Sequence, residues 1–254
     1  MREVMDLEVF STAEEAGARV ADLAAQQVGN FPRSVLGLAT GSTPIPIYEG
    51  IVRHVRAGRI TLAQVTTFNL DEYVGIGPDD PHSFAFYMRQ HLFGPLALAP
   101  AQTFMPPNQG PDLKTRAPSY DRLIEGRGGI DWQLLGIGRN GHIGFNEPGT
   151  PFDSETHIAA LSDSTRRANA PWFDNDWDRV PRQAVTMGLA TIMRSRAIVL
   201  AAFGEDKADA LAQAFRGPLT PEVPASVLRS HPSLVVIADR AAARLLAPHR
   251  GAMA

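Results

Sequence analysis

The chain has 254 residues, 44% of them hydrophobic and 20% charged, so it carries enough apolar material for a full core and falls outside the disordered and collagen-like classes. A net charge of -3 without a clustered Lys/Arg run argues against nucleic acid as a partner, whereas a small anion needs only a local positive pocket. The absence of Cys excludes disulfides, thiolate catalysis and Cys-ligated metals; with no apolar signal-peptide run and no stretch near the roughly 18 apolar residues of a membrane span, the expectation is a cytoplasmic protein that does not contact membranes.

Short β-branched or apolar runs alternate with helical patterns, the signature of a mostly parallel sheet covered by helices, and the length suits one large domain or two small ones. Residues 11–28 open on Ser11 and Thr12, continue with Glu14 and Glu15, and then place apolar residues at helical spacing, predicting an amphipathic helix. A strand is predicted over 35–39, a helix over 44–55, a strand over 65–70 and a helix over about 81–93. Residues 100–118, rich in Pro, Asn, Gln and Gly, are predicted to be irregular. A helix over about 119–127 leads to a buried strand at 132–136, a strand at 156–161 and a helix at 163–173. The final third repeats the theme with a strand at 197–203, a helix at 206–215, a strand at 234–238 and a closing helix at 240–246. Right-handed crossovers would line up the loops after these strands along one sheet edge, where ligands bind in such folds.

Two of those loops suit an anion. After the first parallel strand comes Ala39-Thr40-Gly41-Ser42-Thr43-Pro44, in which Gly41 admits close backbone approach, Ser42 and Thr43 add hydroxyls, and Pro44 suits the first helical position. A helix N-terminus with free N–H groups favours phosphate, although the same residues also make an ordinary capped turn. Gly204-Glu205-Asp206-Lys207 again follows a strand and opens a helix; Lys207 is either a phosphate ligand there or a solvated surface lysine.

Two further segments carry reactive groups. Asp71 and Glu72 follow a strand, where one could accept a proton from carbon, or the pair could form an Asx turn or helix cap. In Leu134-Leu135-Gly136-Ile137-Gly138-Arg139-Asn140-Gly141-His142-Ile143-Gly144-Phe145-Asn146-Glu147-Pro148-Gly149, three glycines satisfy the dinucleotide fingerprint, but Gly144, Pro148 and Gly149 arrive where a helix should open. Read instead as a glycine-shaped loop, the stretch presents Asn140, His142 and Glu147 together, and a carboxylate near His142 can fix its tautomer and raise its basicity. Ligand spacing for a metal, a Gly-x-Ser-x-Gly elbow and a Walker A loop are all missing.

Taken in order, LGLATGSTP, VTTFNLDEYVG, LLGIGRNGHIGFNEPG, TMGLATIM and the strand leading to GEDK resemble the glucosamine-6-phosphate deaminase (isomerase) family over about residues 7–246. The resemblance implies a single α/β domain over residues 1–254, with a modified Rossmann-like sheet shared with 6-phosphogluconolactonases and some sugar-sensing repressor domains, and a mobile lid around 161–184. It implies conversion of an amino sugar 6-phosphate and water into a ketose 6-phosphate and ammonia, with no cofactor and no metal. By motif match, Asp71 would move the proton from C2 to C1, and His142, tuned by Glu147 and Asn140, would help open the sugar ring. Gly41, Ser42, Thr43 and Lys207 would hold the phosphate.

The sequence departs from that family's pattern in three places. Asn140 stands where many members carry Asp, and an amide can orient His142 without raising its pKa as a carboxylate would. Pro171 stands where the family usually offers a phosphate-gripping Arg, leaving Arg166 or Arg167 as candidates to replace it. His157 and Ala159 lie where allosterically regulated members place basic residues, and those members extend further at the C-terminus, so no activation by an N-acetylated sugar phosphate is expected. Family members include hexamers and monomers; a homo-oligomer is compatible with the sequence, and a small one is expected. A 6-phosphogluconolactonase-like hydrolase would not need Asp71 beside Glu72, and a non-catalytic sugar-phosphate sensor would not need the retained Asp71, His142 and Glu147.

Overall fold

The computed structural model describes residues 5–246, which pack as one α/β unit. In chain order the strands are β1 (Met5–Phe10), β2 (Val35–Leu38), β3 (Thr66–Asn69), β4 (Asp71–Tyr73), β5 (Thr103–Phe104), β6 (Trp132–Leu135), β7 (His157–Ala160), β8 (Gln183–Thr186), β9 (Ala197–Ala202) and β10 (Leu234–Asp239). The helices are α1 (Ala13–Asn30), α2 (Pro44–Arg56), α3 (Phe84–Met88), α4 (Leu113–Arg116), α5 (Ser119–Glu125), α6 (Asp163–Asn169), α7 (Leu189–Met193), α8 (Ala208–Arg216) and α9 (Arg240–Ala243). A seven-stranded sheet runs β1-β10-β9-β6-β2-β3-β5 with every pairing parallel, and a second, antiparallel sheet runs β4-β8-β7.

The central strands are near-continuous apolar runs because helices cover both faces of the large sheet: β9 reads AIVLAA and is buried from Ile198 onward. α1 and α2 pack side by side through small residues, a Cβ added at Gly50 meeting that of Ala21 at 2.5 Å. α1 starts as the sequence implies, with Thr12 accepting from the Glu15 amide and Glu15 accepting in return from the Ser11 amide at 3.0 Å. From β2 the chain moves outward to β3 and β5, whereas from β6 it moves the other way to β9 and β10. The crevice between β2 and β6 is therefore the switch point at which such sheets bind ligands.

Several elements depart from the sequence expectations. β1 and β8 were not anticipated, and the strand expected to run to residue 70 stops at Asn69; Asp71 and Glu72 belong to β4 of the other sheet. The expected helix over 81–93 is the short α3 followed by a π-helical turn at Arg89–Phe93, and the irregular stretch 100–118 contains β5 and α4. The helix over 163–173 is α6 continued by a 3-10 turn at Ala170–Phe173. A second apolar cluster, Tyr73, Phe145, Ala159, Leu161, Phe173, Val180 and Ala184, lies against the small sheet. Tyr73 meets Phe145 at 5.6 Å and Phe173 at 5.5 Å between ring centroids, clamping β4 to the glycine loop and to the 163–173 segment.

Candidate active site

One cavity of about 320 Å³ opens over the switch point, at the lower end of the size range for small-ligand pockets, roughly 300–1,000 Å³. Its wall brings together Gly41, Ser42, Thr43, Asp71, His142 and Lys207, contributed by three separate loops and by β4. Asn140 and Glu147 stand behind His142, outside the lining.

The first loop is held rigidly. The Tyr48 hydroxyl donates to the Ala39 carbonyl and the Tyr87 hydroxyl to the Gly41 carbonyl at 2.7 Å. Gly41 takes φ +104, which side chains disfavour, while the space beside it is open; the backbone conformation, not crowding, requires glycine. No side chain caps α2, but Pro44 and Pro46 in its first turn lack N–H groups and the Ile45 amide donates to the Ser42 carbonyl at 3.3 Å, so the helix contributes the positive end of its dipole and the donors for an anion would come from the Gly41–Ser42–Thr43 loop. Across the cavity Lys207 ends a 3-10 turn just before α8 rather than lying in the helix, and its ammonium lies 3.3 Å from Asp206 Oδ2.

Asp71 and Glu72 are adjacent, both buried, and opposite in environment. Glu72 accepts three backbone amides, from Tyr73 at 2.9 Å, Phe84 at 3.0 Å and Ala85 at 2.9 Å. Burial raises its pKa and those donors pull it partway back; its task is to pin α3 to β4. Asp71, 6% exposed, accepts no hydrogen bond among the described residues. Burial first, and the neighbouring Glu72 charge second, push its pKa up to about 8. A buried carboxylate without protein donors is a stronger base than a solvated one.

The glycine loop places His142. Its backbone folds so tightly over the imidazole that a Cβ on Gly138 would sit 2.2 Å from the ring. Burial lowers the His142 pKa; Glu147 opposes this and Lys207 adds to it. The ring is thus neutral at pH 7, contrary to the expectation that a nearby carboxylate leaves it more basic, because desolvation outweighs an attraction across 4.0 Å from Nδ1 to Glu147 Oε2. Asn140 does not bond the imidazole either. Its amide donates to Glu147 Oε2 at 2.8 Å and its oxygen accepts the His142 backbone N–H at 3.3 Å, so it braces the loop and the carboxylate together. Glu147 Oε1 accepts from the Ser162 hydroxyl at 3.2 Å, tying it to the cap of α6.

Neither Arg166 nor Arg167 reaches the cavity. Arg166 is buried beneath the 163–180 segment, donating to the Val180 and Trp177 carbonyls, and both guanidiniums stack on the Trp177 ring, at 4.6 and 4.8 Å from its centre. An aromatic face and free carbonyls capture them more cheaply than an open pocket would. The structure instead adds Tyr87, His82, His91, Arg139 and Trp172 to the wall, residues the sequence reading passed over. Arg139 lay in plain view between Gly138 and Asn140; the others come from segments whose only signal was helical periodicity or none. Among the described residues, no group of three His, Cys, Asp or Glu side chains could hold a metal ion, and no helix is long and apolar enough to cross a membrane.

The family model for glucosamine-6-phosphate isomerases/6-phosphogluconolactonase matches residues 9–236. The chain belongs to this family. Within it, the chain is 49% identical over 243 residues to a glucosamine-6-phosphate deaminase of Rhodopirellula baltica, covering 96% of each. It is 47% identical to glucosamine-6-phosphate deaminase 2 of Bacillus subtilis, over 87% of this chain and 89% of that one. Among solved structures, a monomeric glucosamine-6-phosphate deaminase superimposes with a TM-score of 0.92 at 41% identity, over 95% of this chain and all of the other. The 6-phosphogluconolactonase of Trypanosoma brucei, at 19% identity and a TM-score of 0.76 over 95% and 98% of the two chains, shares the fold.

Proposed function

We propose that the chain converts glucosamine 6-phosphate and water into fructose 6-phosphate and ammonia. The observation that carries this reading is Asp71, a buried carboxylate without hydrogen-bond donors among the described residues, sharing one cavity with His142, the Gly41–Ser42–Thr43 loop and Lys207. The deaminases at 41–50% identity, matched over most of their length, support it.

In this reading the phosphate sits on the amides of Gly41, Ser42 and Thr43 and on Lys207. His142, neutral and facing the sugar, takes the proton of the anomeric hydroxyl and delivers one to the ring oxygen, opening the pyranose. Asp71 then removes the C2 proton from the open-chain aldose. Its ionised form, disfavoured in the empty cavity, is stabilised by the substrate's own ammonium group. The electron pair left on C2 forms the C1=C2 bond and displaces the carbonyl pair onto O1, which takes up the proton given up by the ammonium group; Asp71 then returns its proton to C1 of this enolamine as the nitrogen lone pair forms the C2 imine. Water adds to the resulting C2 imine and ammonia leaves, so no redox partner enters the balance. Asn140 and Glu147 serve as supports that fix the His142 loop. Residues 161–184, which contribute Ala168, Asn169 and Trp172 to the wall, form the cover that closes over bound sugar.

The direct test is incubation of the purified protein with glucosamine 6-phosphate while ammonia and fructose 6-phosphate are both measured. Equimolar appearance of the two is expected; hydrolysis of 6-phosphogluconolactone without ammonia release would replace this reading with its nearest rival. A cytoplasmic site of action and a small assembly belong to the same proposal and are checked by cell fractionation and light scattering.

A further inference from the structure

We propose that Arg139 is a second cationic ligand of the substrate's phosphate, acting beside Lys207, and that Asp206 sets the spacing of the two cations. This deepens the proposed function and rests on it.

Three adjacent strands, β2, β6 and β9, deliver the anion-facing loops, and Arg139 lies in the middle one. It is therefore flanked by the Gly41–Ser42–Thr43 turn on one side and by Lys207 on the other, and all of them line the same cavity. Arg139 Nε lies 3.0 Å from Asp206 Oδ2, and Lys207 Nζ lies 3.3 Å from that same oxygen. One carboxylate thus brings two cations side by side that would otherwise repel each other. Burial raises the Asp206 pKa, but Lys207 and Arg139 outweigh it and hold the carboxyl ionised, below its usual range.

Charge accounting decides the role of Arg139. A phosphate monoester carries roughly -1.5 to -2 at neutral pH. Lys207 is cancelled by Asp206, so without Arg139 the dianion would meet little beyond the helix N-terminus, worth about half a positive charge. With Arg139 the trio keeps one net positive charge. Geometry agrees, since Asp206 engages only Nε and leaves both terminal nitrogens for a two-pronged contact with phosphate oxygens. The Arg139 side chain is 69% exposed against 20% for Lys207, so it has room to swing onto an arriving ligand. The ordinary alternative is a surface ion pair of little energetic consequence.

The ammonia assay separates these. Arg139→Ala is expected to raise KM for glucosamine 6-phosphate roughly ten- to hundredfold, with kcat held within about twofold, and to weaken competitive inhibition by inorganic phosphate by a similar factor. Arg139→Lys should recover part of the loss. The double variant Arg139→Ala/Asp206→Asn tests whether Arg139 merely neutralises Asp206: it should remain weak toward phosphate, and full recovery there would overturn the proposal. So would an unchanged KM and unchanged phosphate inhibition in folded Arg139→Ala. Should the wild-type chain release no ammonia, the proposed function fails, but calorimetric titration of wild type and Arg139→Ala with inorganic phosphate still judges Arg139. Equal binding by both, or none by wild type, would count against it.

Discussion

The two ends of the cavity are built by different rules. The end proposed to hold the anion is assembled from loops in which each candidate ligand lies within a few residues of the strand that delivers it: Gly41 to Thr43 after β2, Arg139 after β6, Lys207 after β9. The proton-transfer end depends on long-range contacts. Asp71 sits on β4, whose partner β8 lies more than a hundred residues away, and its orientation is fixed by Tyr73 packing on Phe145 and Phe173. On the proposed roles, local construction would supply affinity, and distant construction a base whose pKa burial pushes up. Damage to the first end should appear in KM, and damage to the second in kcat.

The sharpest way to break that division is Asp71→Asn. Turnover should fall by roughly 10²- to 10⁴-fold or more while fructose 6-phosphate still binds; turnover near wild type would remove Asp71 from the chemistry. Next comes Gly138→Ala, whose new methyl group occupies the space of the His142 ring. A kcat loss on the order of a hundredfold, in a protein with a native circular dichroism spectrum, is expected. Lys207→Ala should behave oppositely, raising KM about tenfold or more with kcat nearly intact, and an ordinary KM would place the phosphate elsewhere.

A smaller effect, on stability, comes from the Asp71 pKa. Its folded value of about 8 lies above the usual 3.8, so folding favours the protonated form. The associated stability is fully present below the unfolded pKa and is lost progressively as pH rises from about 4 to about 8. Asp71→Asn should therefore be more stable than wild type at pH 8, by about a few kcal/mol, and gain little at pH 4. Urea unfolding at the two pH values measures this, and an equal difference at both would contradict the unbonded, buried state of the carboxyl. The acid limb of kcat/KM should also fall near pH 8 in the free enzyme. Smallest of all, an N-acetylated sugar phosphate should leave the saturation curve unchanged. A shift from sigmoidal to hyperbolic kinetics on adding it would refute that.

The same contrast explains what the sequence could show. The alternation of apolar runs and helical patterns exposed the parallel sheet, and the glycine loops exposed the edge where ligands bind. β4 and β8 were invisible because three or four residues become a strand only when a distant partner supplies the hydrogen bonds. Nor could composition tell Asp71 from Glu72: what separates them is a set of amide donors at residues 84 and 85, brought over by α3. Arg166 and Arg167 looked free to serve the phosphate because nothing local announces that Trp177 will take them.

Leu70 alone separates β3 from β4, and it is bonded to both sheets. Its amide donates to the Leu38 carbonyl at 2.9 Å, and its carbonyl accepts from the Met187 amide at 2.7 Å. On the roles proposed for Asp71 and the Gly41–Ser42–Thr43 loop, the gap between base and anion is set by the two sheets rather than by an adjustable loop. On that reading, a sugar phosphate one carbon longer or shorter should be a poor substrate because it would present the wrong carbon to Asp71.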